Sequence, residues 1–348
     1  MRRAETLILL IALGFYVWFL HHFGLAQVIA QIRMVGWGLG ITISLEAVAR
    51  VANTLGWRVT IADCPPKLGF GELFVARIAG EAVDYITPSA QLGGQFVMAL
   101  MVRRKLVMAI ALATVIIASL AEAVGQIGFI AGALMATLPF AARAHHLLWP
   151  AMGGLAIAIG LAGGFLYVQM KHPFAMLWKA AARLDLGHLA NPEIHAAADA
   201  ADGVLLDFYA HRRGRLALSC LCYLVAWSMG PVEIYILLTL LGAHPSAMAA
   251  LLVEALGLLI ERATFLIPAK LVSQEGGKAL ILATLGYGAG VGFAVGVLRR
   301  IKEMVWVLFG LVALAAHRML TERQTVADEA RPGADLIKIS GVQRGPSL

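Results

Sequence analysis

Charged residues and cysteines are scarce in this chain of 348 residues. Asp, Glu, Lys and Arg make up 14% of the sequence, against 60% hydrophobic residues, whereas soluble domains carry about 25% charged residues. A soluble globular fold is therefore excluded. The three cysteines, Cys64, Cys220 and Cys222, are too few and too unevenly spaced for a disulfide framework or a zinc site. No nucleophilic triad, phosphate-binding glycine loop or metal-ligand spacing is present. We therefore expect no enzymatic activity, no cofactor and no metal.

Long apolar runs fill the chain instead, and its mean hydropathy is +0.80. A helix needs about 20 apolar residues to cross a membrane. Thr6 to Phe23 is interpreted as the first span and not as a signal peptide, because no small-residue cleavage site follows it. The pattern predicts an all-α, polytopic transmembrane bundle. Later runs without a charged residue are Tyr85–Val102, Ala123–Ala142, Ala144–Met170, Ile234–Val253 and Ala279–Leu298.

The net charge of +7 is explained by the placement of basic residues around membrane spans, and it does not indicate a nucleic-acid-binding face. Lys and Arg cluster at the ends of apolar runs, as at Arg103 to Lys105, and cytoplasmic loops are the ones enriched in these residues. The intervening loops near residues 24–34, 139–147 and 242–246 carry only Arg33 and Arg143. We therefore predict a multi-pass protein of a bacterial inner membrane with both termini in the cytoplasm.

Two polar segments set the predicted domain organisation. Residues 171–214 form a cytoplasmic linker, in which Asn191-Pro192 opens an amphipathic helix with a capping residue and a proline at the first helical position. This linker divides a transmembrane domain, residues 1–320, into halves of about 1–170 and 215–320. Residues 321–348 are charged, contain Gly and Pro and lack an apolar period, so they are predicted to form a mobile cytoplasmic tail.

An internal repeat straddles the linker. In residues 81–95 and again in residues 261–275, an acid precedes a proline by seven positions and an aromatic residue precedes it by three. A carboxamide or carboxylate follows each proline by seven positions. The alternative is two unrelated proline kinks with chance similarity.

Proline interrupts a helix because it lacks an N–H and clashes with the preceding turn. Such breaks at membrane depth occur only inside protein or along a wet cavity. Paired breaks in two halves are typical of transporters built from inverted repeats, whose broken helices face the substrate. We therefore predict two inverted copies, each with a re-entrant helix pair. Their tips are expected to meet near the midplane and to present Gly93, Gly94, Gln95, Gln274 and Glu275 to a shared cavity.

These residues resemble a known family, the lysylphosphatidylglycerol synthase membrane region, also called flippase-like. The resemblance covers about residues 6–318. It rests on Arg77–Pro88, Leu92–Gln95, Gly56–Arg58, Ile267-Pro268, Ser273–Gly277 and Arg299-Arg300.

Membership of this family implies the movement or handling of lipids. Its best understood relatives flip aminoacylated phosphatidylglycerol, and others accompany hopanoid, glycolipid or carotenoid pathways. Two positions depart from the family pattern: Asp84 stands where Asn is expected and Gln95 where Glu is expected. The aminoacyltransferase domain that some relatives carry after this region has no counterpart, so we do not expect this polypeptide to aminoacylate lipids.

Charges inside a bilayer are costly and face a partner or a cavity. Glu46 and Arg50 lie four residues apart and are interpreted as a pair that fixes helix packing, although a functional role stays open. Arg77, Glu81 and Asp84 precede a proline break and are interpreted as functional.

In the second half, Arg262 is the preferred contact for a lipid headgroup because only Arg offers bidentate geometry. Counting spans places Arg299 and Arg300 on the non-cytoplasmic side of the membrane, although Lys and Arg are normally enriched on the cytoplasmic side. Either they line the cavity or the topology differs.

Two functions remain in play: a lipid translocator with alternating access, and a membrane scaffold that binds a lipid without moving it. Membrane lipids are the expected partners, and a lipid-synthesising enzyme is a further candidate partner. The predicted substrate-binding residues are Arg77, Glu81, Asp84, Pro88, Gly93, Gly94, Gln95, Glu261, Arg262, Pro268, Gln274, Glu275, Arg299 and Arg300.

Overall fold

The described residues of this computed structural model are 14, 33–61, 68–87, 92–138, 145–183, 192–263 and 273–329. Within these ranges the regular structure is helical and no strand occurs. The all-α prediction is confirmed. The helices are α1 (Gly38–Ile61), α2 (Phe70–Ile86), α3 (Leu92–Val102), α4 (Met108–Thr137), α5 (His145–Gln169), α6 (Pro173–Arg183), α7 (Pro192–His211), α8 (Arg213–Leu240), α9 (Ala247–Ala263), α10 (Ser273–Thr284) and α11 (Ala289–Glu329).

Four helices in the described ranges are long and apolar enough to cross a membrane. These stretches are α4, Trp149–Gln169 of α5, α8 and Ala289–Leu320 of α11. The protein is thus a multi-pass membrane protein. The first predicted span, Thr6 to Phe23, lies outside the described residues except for Gly14.

Two of the predicted apolar runs contain a glycine turn between two helices. Ile234–Val253 contains the turn between α8 and α9, where Gly242 has a φ of +76°. Ala279–Leu298 contains the turn between α10 and α11, where Gly286 and Gly288 have φ of +86° and +91°. Glycine adopts this left-handed conformation without strain and ends helices. Hydropathy alone does not detect such a turn.

The first predicted helix break lies between α2 and α3. Helix α2 ends at Ile86, and its last residues pack against the start of α3. Asp84 Oδ1 accepts a hydrogen bond of 2.7 Å from the backbone N–H of Gly94. Gly80 lies against both Gly94 and Met98, so the two helices run antiparallel. They form a helical hairpin; Pro88, in the segment between them, lies outside the described residues.

A second helical hairpin joins α9 and α10. The structure describes α9 as far as Ala263 and α10 from Ser273 onward, so the predicted helix break around Pro268 stays a prediction. Pro268 itself lies outside the described residues. Gly277 of α10 packs against Ile260 of α9, so the two helices contact each other near these ends.

Gly94 is the tightest point of the first hairpin. A Cβ at this position would overlap the Asp84 carboxylate and the Gly80 carbonyl oxygen. Gly94→Ala should destabilise the protein by about 1–3 kcal/mol, because overpacking forces backbone to move. A fluorescence-monitored melt in detergent measures this. Gly71→Ala on α2 is the control, since a Cβ there meets nothing within 4 Å; equal melting of both variants would contradict the close packing.

The two halves of the chain interlock along several helices. Helix α1 packs along α8, α2 packs along α11, and α4 contacts both α8 and α9. Trp57 of α1 is fully buried and its indole N–H reaches Thr114 Oγ1 of α4 at 3.4 Å. Ser219 of α8 donates a 2.9 Å hydrogen bond to the carbonyl of Gly56. These contacts fix α1, α4 and α8 around a common centre.

The predicted linker is folded onto the bundle. Helix α7 begins at Pro192, as the sequence predicts. Buried Asp202 of α7 accepts hydrogen bonds from the backbone N–H groups of Phe174 and Ala175, at 3.1 and 2.9 Å, and so caps α6. The predicted tail differs at its start, because α11 continues to Glu329. Residues 330–348 lie outside the described part.

Candidate functional site

Nine charged side chains form a continuous series of ion pairs through the bundle, which we call the charge chain. It connects helices of both halves, namely α1, α2 and α4 with α8, α9 and α11. In order, its members are Glu122, Arg77, Glu81, Arg50, Glu46, Lys302, Glu233, Arg299 and Glu254.

Arg77 organises the end of the charge chain that lies in the first half. Its Nε donates to Glu81 at 2.6 Å and its Nη2 donates to Glu122 at 2.8 Å. Its Nη1 donates to the hydroxyl of Tyr223 at 3.0 Å. The planar guanidinium therefore joins α2, α4 and α8 with three separate nitrogens. Only Arg has this geometry.

Arg50 and Lys302 carry the charge chain across to the second half. Arg50 contacts Glu81 and lies 3.2 Å from Glu46, and its guanidinium stacks over the ring of Trp306 at 4.8 Å. Lys302 Nζ donates to Glu46 at 2.8 Å. Helix α1 is thereby connected to α11.

Arg299 completes the charge chain in the second half. It donates to Glu233 at 2.9 Å, and Glu233 also lies 2.7 Å from Lys302 Nζ. Two further nitrogens of Arg299 bond the two carboxylate oxygens of Glu254, at 2.7 and 3.0 Å. Gly230 packs against this carboxylate, where a Cβ would overlap it. A glycine here lets α8 and α9 approach.

Two further ion pairs lie beside the charge chain. Arg300 is fully buried and bonds Glu275 at the start of α10, with an Nη2–Oε2 distance of 2.8 Å. Tyr85, near the end of α2, lies within electrostatic reach of both residues. The end of α2 is thus close to the start of α10. Lys278 lies 3.4 Å from Glu261.

Pairing explains how a helical membrane protein holds so many charges. An unpaired charge in this environment costs several kcal/mol, whereas a paired and hydrogen-bonded one is tolerated.

The predicted site residues fall into distinct groups in the structure. Arg77, Glu81 and Arg299 belong to the charge chain, and Glu275, Arg300 and Glu261 form the neighbouring pairs. Arg299 and Arg300 lie in the interior of the bundle, and the prediction that they line a cavity stays a prediction. Pro88, Pro268 and the side chain of Gln274 lie outside the described residues.

The other predicted residues make local contacts. Asp84 holds Gly94, and Gly93 beside it is half-buried. Gln95 donates to Ser119 Oγ at 2.9 Å. Arg262 is exposed, and its Nε donates to Gln126 at 2.8 Å, outside the charge chain. The role of Arg262 as a headgroup contact stays a prediction.

Sequence reasoning missed four charged residues of this region: Glu122, Glu233, Lys278 and Lys302. A usable signal existed for three of them. Glu122, Glu233 and Lys278 each stand immediately before an apolar run and were interpreted as its boundary. The structure places Glu122 and Glu233 inside α4 and α8, and Lys278 in the interior of α10. A single charge between two apolar stretches is better interpreted as an interior partner.

A contrasting ion pair lies at the open end of the first hairpin, outside the membrane spans. Glu72 accepts from Lys105 Nζ at 2.6 Å and from the backbone N–H of Gly69 at 2.9 Å. The Lys105 hydrogen bond, followed by the Gly69 one, lowers the pKa of Glu72 below its ordinary value. Both side chains are well exposed, so the pair contributes little to stability.

Comparison with known proteins agrees with this architecture. The sequence profile of the family described as "Lysylphosphatidylglycerol synthase TM region" matches residues 6–311. No curated protein and no solved structure matches the chain. The matched residues include the whole charge chain and both helical hairpins. The chain therefore belongs to the lysylphosphatidylglycerol synthase transmembrane-region family, a family of lipid-related membrane regions.

Proposed function

We propose that this protein translocates a lipid with an anionic or polar headgroup across the membrane. The observation that carries the proposal is the charge chain, which runs through the bundle and joins both halves. A headgroup cannot cross hydrocarbon alone, because desolvation of its charge is too costly. Guanidinium and ammonium groups that exchange carboxylate partners for a phosphate remove that cost. The proposal assigns no catalytic step to the chain.

The two helical hairpins support an inverted repeat as the basis of movement. Helices α1 to α4 and α8 to α11 occur in the same order, and the second and third helix of each set form the hairpin. The exchanged packing of α2 on α11 and of α4 on α9 fits a two-fold relation between the sets. Transporters built in this way bind substrate at the repeat interface and open to one side at a time. We assign the headgroup site to this interface.

The expected orientation follows from the basic residues. Arg103 to Lys105, at the end of α3, and the segment 171–214 carry many positive charges, and such segments stay on the cytoplasmic side. We therefore place both termini in the cytoplasm of a bacterial cell, with the protein in the inner membrane.

Reconstitution into liposomes tests the proposal. Fluorescent anionic, zwitterionic and cationic glycerophospholipids are added, and a membrane-impermeant reductant reports which leaflet they occupy. We expect at least one class to move faster than in empty liposomes. If every class moves at the empty-liposome rate while the labelled lipids still bind the protein, the chain is a lipid-binding scaffold.

Arg262 offers a test of headgroup binding that is separable from folding. Its side chain is exposed and lies outside the charge chain. Arg262→Gln should leave folded yield unchanged and lower translocation about ten-fold, because a charge-assisted hydrogen bond contributes roughly 1.5–3 kcal/mol. Arg58→Gln, at an exposed position on α1, is the matched control. Equal rates for the two variants would remove Arg262 from the site.

A further inference from the structure

We propose that α6 is an interfacial helix whose outward face binds the anionic lipids of the leaflet at the end of α5. Helix α6 (Pro173–Arg183) begins shortly after α5 ends at Gln169, so its start lies within roughly 15 Å of the end of a membrane span. The position, the exposed side chains and the charge of α6 each point to a lipid surface. This inference goes beyond the proposed function and does not depend on it.

Helix α5 brings the chain to the membrane surface beside α6. Only 6% of the apolar stretch of α5 is buried in the structure, so α5 lies at the outside of the bundle and faces lipid. At its end, Tyr167 is exposed, and Lys171 Nζ lies 5.3 Å from the centre of the Tyr167 ring. Tyr and Lys at the end of a span are typical of the headgroup level. The chain then turns at His172, where φ is +54°, and we place α6 at the same level.

The inward face of α6 is fixed on α7. Buried Asp202 of α7 accepts hydrogen bonds from the backbone N–H groups of Phe174 and Ala175. The ring of Trp178 meets the ring of His195 of α7 edge-on, with the ring centres 4.1 Å apart. These contacts hold one face of α6 against the protein, so the opposite face points outward in a fixed orientation.

The outward face of α6 combines apolar and basic side chains. Met176 and Leu177 are 57% and 68% exposed, and Lys179 and Arg183 are exposed as well. The sequence of α6 contains no acidic residue. This composition is typical of helices that lie in the plane of the membrane interface. The apolar side chains enter the boundary of the acyl chains, while Lys and Arg reach the lipid phosphates.

The neighbouring helix α7 has the opposite charge on its exposed surface. Its side chains include Asp199 and Asp207, which are 55% and 56% exposed. Anionic lipids give a leaflet a negative surface potential, which attracts Lys and Arg and repels carboxylates. Charge complementarity therefore assigns the lipid surface to α6 and water to the exposed side of α7.

Site-directed spin labelling of the full-length protein in nanodiscs tests the proposal. With Cys64, Cys220 and Cys222 replaced by alanine, a spin label is attached to Leu177→Cys or, as the matched control on α7, to Ala200→Cys. Both positions are exposed in the structure. The nanodiscs contain phosphatidylcholine alone or an equimolar mixture of phosphatidylcholine and phosphatidylglycerol. Relaxation of the label by oxygen, which dissolves in lipid, and by a water-soluble nickel chelate reports its depth.

In the mixed nanodiscs, the label at position 177 should be accessible to oxygen and protected from nickel, and the label at position 200 should show the reverse. Lys179→Gln combined with Arg183→Gln should move the label at position 177 towards water, because the phosphate contacts are lost. Equal nickel accessibility at the two positions, or equal depth in the two kinds of nanodisc, would overturn the proposal. Spin–spin broadening at position 177 that disappears on dilution with unlabelled protein would assign this face to a second copy, and would overturn the proposal as well.

A measurement in the native cysteine background does not depend on the folding of the labelled variants. Phosphatidylglycerol added to the detergent-solubilised protein should raise its melting temperature, because a ligand that binds the folded state stabilises it. The rise should be smaller in Lys179→Gln/Arg183→Gln than in Arg103→Gln/Arg104→Gln, which removes two exposed basic residues elsewhere. An equal rise in the two double variants would contradict the lipid contact of α6.

Discussion

Arg299→Gln should yield almost no folded protein. Arg299 is the cation that pairs with Glu254, and both carboxylates that it contacts are 3% exposed. Its removal leaves Glu254 charged and buried without its partner. Breaking a buried pair in this way costs about 3–5 kcal/mol, a large part of the stability of an ordinary protein. Size-exclusion chromatography in mild detergent measures the folded fraction.

A double variant that also removes the carboxylate partner of Arg299 should restore folding. Arg299→Gln combined with Glu254→Gln deletes both charges and leaves Glu233 with Lys302 at 2.7 Å. The double variant should recover most of the folded protein, because the penalty arises from the uncompensated charge and not from the missing bonds. Equal loss in the single and double variants would contradict the assigned pairing.

Arg77→Lys should fold and lose most lipid translocation. The substitution keeps the positive charge but replaces three separated nitrogens with one ammonium, which cannot reach Glu81, Glu122 and Tyr223 together. Loss of one hydrogen bond to a charged group costs roughly 1.5–3 kcal/mol. If the guanidinium geometry acts in the transport step, this cost lowers the translocation rate about ten- to hundred-fold.

The same substitution at an exposed position controls for charge and size. Arg58→Lys on α1 should leave both folded yield and translocation unchanged, because Arg58 is exposed. A wild-type translocation rate in Arg77→Lys would show that the guanidinium geometry has no part in transport. A parallel loss in Arg58→Lys would show that the assay responds to any change in surface basicity.

Local sequence features predicted much of the fold. The proline within residues 81–95 predicted the end of a helix, because proline ends a helix by a local steric effect. Helix α2 does end at Ile86, before the first hairpin turns back. The start of α7 at Pro192 was predictable for the same reason. The pairs Glu46–Arg50 and Arg77–Glu81 were predictable because residues four apart share a helix face.

The charge chain as a whole could not be predicted from one sequence. Lys302 and Glu46 meet across 256 positions, and Arg77 and Tyr223 across 146 positions. No local period or propensity encodes such contacts, because they depend on how α1, α8 and α11 pack. In the sequence, Glu122 and Glu233 look like the boundaries of apolar spans. The same packing places them inside the bundle, where they form ion pairs with Arg77 and Arg299.

The central claim is that the charge chain serves lipid movement and not folding alone. The most direct test is the translocation rate of the Arg299→Gln/Glu254→Gln double variant, which should fold but interrupts the charge chain at its end in the second half. The rate is measured in liposomes that contain equal amounts of folded wild-type or variant protein. We predict a rate at least about ten-fold below wild type, which is a loss of about 1.4 kcal/mol or more in the transport step. A folded double variant that moves lipid at the wild-type rate would contradict the account.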